Sequence, residues 1–174
     1  ARGFCRASIG TVSHLPVLRL APVKENRNNC PFLTGDHCAI HDAEPLVCAL
    51  YPLAQEISRE GEVSYFLQPT ACGGRVIEAK GEDYLSRYDV PAREQTDVRW
   101  ALGSMELEDV VEQAETLLSP VLVRRMQAKL WQALYFNYDY TQLFLPQLER
   151  NLNWLNGEIV KLTEYQKKRN SKSK

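Results

Sequence analysis

The sequence lacks the segments that would carry a protein into or across a membrane. No apolar run approaches the ~20 residues that a transmembrane helix needs, and the amino end has no basic start followed by an apolar stretch. The chain also has no excess of basic residues, since its formal net charge is −1 and its pI is about 6.4. These absences predict a cytoplasmic protein with neither a membrane nor a nucleic acid as its partner.

Motifs for common cofactors and reactions are absent as well. The chain contains no Gly-x-Gly-x-x-Gly, no Gly-x-x-x-x-Gly-Lys-Ser/Thr and no Gly-x-Ser-x-Gly, so the familiar nucleotide and acyl-transfer sites are not indicated. It also contains no Cys-x-x-Cys knuckle, the unit from which structural zinc sites are usually built. The sequence therefore leaves open whether the protein is an enzyme.

The composition is that of an ordinary globular protein, with 44% hydrophobic and 25% charged residues in a chain of 174. The composition changes near residue 79, because residues 1–78 contain every cysteine whereas residues 79–174 contain none. We expect a cysteine-rich metal-binding region at 1–78 and a helical region at 79–174, together forming one domain. The predicted fold is α+β and mainly helical, with an irregular cysteine-rich lobe and a small β-hairpin packed on about three helices.

Two features predict β-structure in the first half. Residues 16–23 alternate as a short strand, which Pro22 would confine to an edge or an end. Residues 55–58 and 63–67 flank a polar, glycine-containing loop at 59–62, and this order predicts a hairpin.

Three helices are predicted in the second half. Apolar residues recur at helical spacing from Leu107 to Leu118, with acidic residues on the opposite, solvated face. Ser119 and Pro120 form a cap and first-turn pair that opens a second helix. A heptad-like stripe marks the third helix, which we expect to pack on the second within this chain. Its members are Phe144, Leu148, Leu152, Leu155, Ile159 and Leu162. The basic tail at 167–174 is expected to be disordered.

The cysteines carry the strongest chemical signal. Four of the five follow the spacing Cys-x7-Cys-x9-Cys-x23-Cys. They are Cys30, Cys38, Cys48 and Cys72. Thiolates concentrated in a chain without a secretion signal favour ligation of zinc or of an iron–sulfur cluster. The alternatives are separate core cysteines, disulfides, a redox-sensing thiol and a cysteine–histidine nucleophile.

Local sequence predicts how three of the ligands are presented. Thr34-Gly35-Asp36 favours a tight turn that brings Cys38 back beside Cys30. Pro45 and Pro52 bracket a helical segment of one or two turns that carries Cys48, with Pro45 at its first position.

The choice of metal follows from coordination habits. A [4Fe–4S] cluster is favoured over zinc because Cys-x-x-Cys knuckles are missing, and because each cysteine needs to reach only one iron of a cluster. His37 and His41 flank Cys38, so a zinc site with three cysteines and one histidine stays open.

The same segment resembles a known family. The motifs are Cys-Pro-Phe-Leu, Cys-x-Ile-His-Asp, Pro-Leu-x-Cys-x-Leu-Tyr-Pro-Leu and Cys-Gly-Gly, all within residues 23–78. Together they resemble the YkgJ-type cysteine-cluster proteins, which are described as zinc- or iron-chelating. The family's amino-terminal Cys-x-x-Cys-x-x-Cys-Cys run is missing, and Glu44-Pro45 stands where relatives tend to have Arg-Pro. Since the chain opens on Ala1 rather than Met, we expect upstream cysteines to have been lost and Cys5 to be an additional ligand.

The resemblance also implies an alternative activity. Some relatives are flagellin lysine N-methylases, so a protein lysine N-methylase that uses S-adenosylmethionine is a candidate, although no motif here supports that cofactor. The aromatic residues between Tyr135 and Phe144 then line a groove for a lysine-bearing peptide, or else they pack at a helix junction. A third candidate is an interaction module in which the helical half binds another protein and the metal acts as a staple.

Overall fold

The computed structural model describes residues 4–22, 30–35, 37–69, 81–87 and 90–172. More than half of these residues are helical, and the strands among them form three two-stranded antiparallel sheets. The fold is therefore α+β and mainly helical, as the sequence predicts. In the described ranges, every helix is too short or too polar to span a bilayer.

The elements follow one another in a simple order along the chain. They are β1 (Cys5–Ile9), β2 (Pro16–Leu20), β3 (Leu33–Thr34), β4 (His37–Cys38), α1 (Leu46–Ala49), β5 (Leu53–Ile57), β6 (Val63–Leu67), α2 (Gly81–Arg87), α3 (Val90–Leu117), α4 (Pro120–Trp131) and α5 (Phe144–Lys172). A 3₁₀ turn occupies His41–Ala43, and a π-helical turn occupies Gln132–Phe136.

The chain divides into two compact units. The helical unit consists of Ala1–Ala21 and Gly103–Lys174, and the cysteine unit consists of Pro22–Leu102. The boundary predicted after residue 78 falls inside the cysteine unit, and Cys5 belongs to the helical unit.

The helical unit is held together by an apolar core between its helices. Its buried apolar residues are Leu15, Leu107, Val111, Ala114, Leu118, Leu122, Met126, Leu130, Ala133, Leu134, Leu148, Leu152, Leu155 and Ile159. These residues recur every three or four positions along α3, α4 and α5, so each helix turns one apolar stripe inward. The predicted stripe of the third helix is confirmed at its four central leucine and isoleucine positions.

Helices α4 and α5 pack against each other in antiparallel order. The backbone N–H of Ser119 donates to Gln166 Oε1 at 3.3 Å, and Lys129 Nζ donates to Glu158 Oε2 at 2.6 Å. The later of the two residues, Lys129, contacts the earlier residue of α5, Glu158, so the two helices run in opposite directions. The predicted packing of the third helix on the second is confirmed.

Three local predictions need correction. Ser119 lies at the N-cap of α4, but its side chain makes no capping hydrogen bond. Pro45 stands at the N-cap of α1 instead of its first helical position. The tail is helical as far as Lys172, where Ser171 Oγ donates to the carbonyl of Lys168 at 2.9 Å. Basic residues are favourable in this last turn because they face the negative end of the helix dipole.

The predicted strand at 16–23 is present as β2, which ends at Leu20. It pairs with β1, a strand that was not predicted, and Cys5 lies opposite Leu20 in this ladder. Tyr135 donates its hydroxyl to the carbonyl of Pro16 at 3.0 Å, which ties the sheet to the helices of the same unit. Residue 23 lies outside the described ranges.

The predicted hairpin is confirmed in the cysteine unit. Strands β5 and β6 pair from Leu53↔Leu67 to Ile57↔Val63. Gly61 closes the turn at φ +82°, and a Cβ built at this position would lie 3.5 Å from Leu102 Cδ1. Glycine is favoured here because L-residues with a side chain rarely adopt a positive φ. Tyr65 of β6 donates its hydroxyl to Glu94 of α3 at 2.6 Å.

Candidate functional site

Two of the predicted ligands, Cys30 and Cys38, flank one residue of the small sheet. The backbone N–H of Leu33 donates to the carbonyl of Cys30 at 3.1 Å, and Leu33 pairs with Cys38 across β3 and β4. A turn of this kind brings its first and fourth Cα atoms within about 7 Å, and paired Cα atoms lie about 5 Å apart. Gly35, at φ +66°, makes the reversal possible. The predicted turn is therefore present, although Asp36 lies outside the described residues.

Cys48 is presented by the single turn of α1. Its N–H donates to the carbonyl of Pro45 at 2.9 Å, and its carbonyl accepts from Tyr51 at 3.2 Å. Tyr84 of α2 donates to the carbonyls of Ala49 and Tyr51 at the end of this turn. A four-residue helix is too short to be stable by itself, so these bonds from outside the turn position the Cys48 backbone.

The Cys48 thiol is influenced electrostatically by the other two described thiols of the cysteine unit. Burial raises the pKa of the Cys48 thiol, and the neighbouring Glu44 carboxylate and the Cys30 and Cys38 thiols raise it further. A thiolate at position 48 would therefore stand in a field of like charge. A cation held among these groups would reverse the field and favour the thiolates.

Glu44 is a neighbour of the site that sequence reasoning missed as a functional group. Its carboxylate lies 3.4 Å from His41 Nδ1, and only 13% of its side chain is exposed. Arg93 of α3 donates to the carbonyl of the same residue at 3.3 Å. The available signal was its position in the sequence, directly before Pro45 and four residues before Cys48.

The remaining predicted site residues are Cys5, Cys72, His37 and His41. Cys5 lies on β1 of the helical unit, and Cys72 lies outside the described residues. His37 is exposed on β4 opposite Thr34, and His41 is exposed beside Glu44. None of Cys5, Cys30, Cys38 and Cys48 is in a disulfide.

The described thiols do not form a group that could bind a single metal ion. Among the described residues, no three Cys, His, Asp or Glu side chains are arranged to hold one metal ion. The donor set is nevertheless chemically suited to a cluster, since soft thiolates are the ligands of iron–sulfur centres and each of them binds a different iron atom. Zinc, by contrast, requires its four ligands to converge on one point.

The aromatic residues at the end of the helical unit pack with one another. Trp131 and Tyr135 have ring centroids 5.3 Å apart, and Tyr138 stacks on Phe144 at 5.2 Å. These contacts are the junction packing that the sequence allows. Tyr140, at 92% exposed, takes no part in it.

Comparisons with known proteins add no relative. No family model matches the chain, no curated protein matches it, and no solved structure matches it. The resemblance to the YkgJ-type family, the methylase activity and the interaction module stay predictions that rest on sequence alone.

Proposed function

We propose that the cysteine unit binds a [4Fe–4S] cluster, with zinc as the alternative, through Cys30, Cys38, Cys48 and Cys72. The observation that carries the proposal is the grouping of the three described thiols. Cys30 and Cys38 flank Leu33, and both raise the pKa of the Cys48 thiol. Cysteines that come from separate segments and lie near one another are typical of metal sites and disulfides, and these thiols form no disulfide.

The way the cysteine unit is built supports a structural role for the metal. Only three of its described apolar residues are buried, Ala49, Leu50 and Val90. Small units with so little apolar core depend on disulfides, metals or partners for stability. A cluster bound by thiolates would cross-link the segments that carry them, and its binding free energy would contribute to folding.

The proposal includes the ligands and setting that sequence reasoning predicts. Cys5 is an additional ligand candidate, and the YkgJ-type resemblance supports iron or zinc chelation as the chemistry. A cytoplasmic location suits the protein because a reducing compartment keeps the proposed ligands as thiols.

Elemental analysis and absorption spectroscopy of anaerobically purified protein test the proposal. An iron–sulfur protein is brown and contains about four iron and four sulfide per chain if the cluster is [4Fe–4S]. A zinc protein is colourless and contains about one zinc per chain. Protein that binds neither, before or after reconstitution with iron and sulfide, would contradict the proposal.

Single substitutions identify the ligands. Cys30→Ser, Cys38→Ser, Cys48→Ser and Cys72→Ser should each lower the metal content by at least about half, because serine is a poor ligand for soft metals. Ser64→Ala, at an exposed position of β6, is the matched control and should leave the content unchanged. Cys5→Ser decides between four and five ligands. Unchanged metal content in the first three variants would show that the metal binds elsewhere.

A further inference from the structure

A pocket of about 320 Å³ lies in the cysteine unit and shares α1 with the proposed metal ligand Cys48. Leu46 and Leu50 line one side, Leu53 and Ile57 of β5 line another, and Trp100 of α3 lines a third. Alternate residues of a strand point to one face, and so do residues four apart in a helix. The pocket wall is therefore a regular product of these elements, and it is largely apolar.

The polar residues of this lining are Gln55, Gln68 and one carboxylate, Asp97. Asp97 lies one helical turn before Trp100 on the same face of α3 and also lines the pocket. Its Oδ2 atom is buried and accepts no hydrogen bond from any residue that the structure describes. Buried carboxylate oxygens are normally hydrogen-bonded, because leaving one without a donor destabilises the fold.

The charges around Asp97 do not neutralise the site. Burial raises the pKa of Asp97, the Arg93 guanidinium opposes this effect, and the Glu94 carboxylate adds to it. Arg93 also donates to the carbonyl of Glu44, and Glu94 accepts from Tyr65. When ionised, Asp97, Glu94 and Arg93 together therefore carry one net negative charge.

We propose that this pocket binds a small aliphatic ammonium ion. The apolar wall contacts the alkyl chain, and the Asp97 carboxylate accepts a hydrogen bond from the ammonium group. The volume lies at the lower end of the ~300–1,000 Å³ range of ligand pockets, which limits the ligand to a short chain. A charge-assisted bond to a desolvated carboxylate distinguishes the ammonium ion from a neutral molecule of the same shape. The proposal does not depend on the identity of the metal.

Titration with n-pentylammonium, followed by the indole N–H signals of the ¹⁵N-labelled protein, tests this proposal. The chain has three tryptophans, and Trp100→Phe assigns the signal of the one in the pocket. We expect a saturable shift of the Trp100 signal only, since Trp131 and Trp154 belong to the helical unit. 1-Pentanol, which has the same chain without the charge, should bind at least about tenfold more weakly.

Variants separate the carboxylate from the apolar wall. Asp97→Asn keeps the shape and should weaken n-pentylammonium at least about tenfold, with no change for 1-pentanol. Asp83→Asn makes the same change at an exposed position of α2 and should have no effect. Ala101→Leu fills the pocket and should weaken both ligands.

Three outcomes would overturn the assignment. The first is a Trp100 signal that does not shift at ligand concentrations from 100 times the protein concentration up to about 0.1 M. The second is equal affinity for 1-pentanol and n-pentylammonium. The third is unchanged n-pentylammonium affinity in folded Asp97→Asn. The Trp100 signal reports folding of the cysteine unit, which contains residue 97, and the Trp131 and Trp154 signals report folding of the helical unit. If Asp97→Asn fails to fold, Ala101→Leu and the comparison of the two ligands on the unmodified protein still decide.

Discussion

The helical unit and the cysteine unit reach stability by different routes. Fourteen of the seventeen buried apolar residues in the described part of the chain lie in the helical unit and three lie in the cysteine unit. The helical unit combines long helices with a shared core, whereas strands β3 and β4 and helix α1 of the cysteine unit are only two to four residues long. Elements that short cannot bury enough apolar surface to offset the entropy of ordering them.

This difference explains where chemistry is placed in the molecule. The unit with a large core carries Cys5, whereas the unit with a small core carries the grouped thiols. Among the described residues, buried polar atoms without a hydrogen bond occur in both units, since Asp97 Oδ2 lies in the cysteine unit and Gln127 Oε1 and the Tyr138 hydroxyl lie in the helical unit. Binding sites commonly keep polar groups that reduce stability. The cysteine unit is therefore the part of the protein in which ligands should change stability most.

Metal removal should produce the largest effect, a difference in hydrogen-exchange rates between the two units. If the cluster organises the cysteine unit, chelation should speed hydrogen exchange of its amides at 30–67 by at least about a hundredfold, with little effect on α4 and α5. Exchange measured by mass spectrometry on peptides from each unit checks this. Equal acceleration of hydrogen exchange in both units, or no acceleration in either unit, would contradict the proposed contrast.

Truncation of a core side chain should destabilise the helical unit. Leu155 is fully buried on α5, and Leu155→Ala should lower the free energy of unfolding by about 3 kcal/mol because it leaves a cavity. Leu143→Ala makes the same change where the side chain is 80% exposed and should cost less than about 0.5 kcal/mol. Urea unfolding followed by circular dichroism measures both values. A similar cost at the two positions would contradict the core described for this unit.

Loss of the buried side-chain amide of Gln147 should have the next largest effect on the free energy of unfolding. Its Oε1 accepts from the N–H of Asp139 at 2.7 Å, and its Nε2 donates to the carbonyls of Asp139 and Leu143, both at 3.0 Å. Gln147→Leu conserves volume but leaves these loop groups unpaired, so the free energy of unfolding should fall by about 2 kcal/mol. Gln113→Leu, at an exposed position of α3, is the control. Urea titrations of equal midpoint would show that the loop is held by other contacts.

The smallest effect concerns an ion pair of the helical unit. Hydrogen bonds from Lys129 and Lys161 lower the pKa of Glu158 from its ordinary 4.5 to about 2. Because the folded pKa is depressed, the pair stabilises the fold above pH 4.5, and this contribution is lost as the pH falls toward 2. Glu158→Gln should therefore lower Tm by about 1–3 °C at pH 7, and the difference should narrow below pH 4.5.

Thermal melts across pH, with Glu164→Gln as the exposed control on the same helix, measure this effect. A Tm difference that stays constant from pH 7 to pH 3 would mean that the charge of Glu158 contributes nothing. High salt should also reduce the difference, because exposed parts of the pair are screened.

Much of the fold was predictable because its signals are local. The turn at Gly61 and the alternation on both sides of it predict the β5–β6 hairpin, and Pro120 with the following stripe predicts the start of α4. The pairing of β1 with β2 was missed because the residues of β1 are mostly exposed and show no apolar alternation. The stripe of α5 was incomplete because Gln147 and Asn151 are also buried, each bonded to the loop that precedes the helix.

Contacts between distant residues were beyond sequence reasoning. His14, at φ +57°, contacts Glu115 Oε2 through Nδ1 at 2.6 Å, although 101 positions separate the two. The acidic face of α3 was predicted to be solvated, and Glu115 departs from that prediction because it also accepts from Gln127 at 3.3 Å. Such pairs depend on how helices and turns pack, which no local pattern encodes.

The amino-acid sequence by itself determined the helices, the hairpin and the spacing of the cysteines, because periodicity, proline and glycine act over a few neighbouring residues. Tertiary structure alone decided which side chains share an environment. It brought Cys30 and Cys38 near Cys48, and it placed Asp97, whose Oδ2 has no donor among the described residues, in the lining of a largely apolar pocket. The physical reason is that burial and electrostatic fields depend on distance in space, and segments far apart in the chain contribute to both.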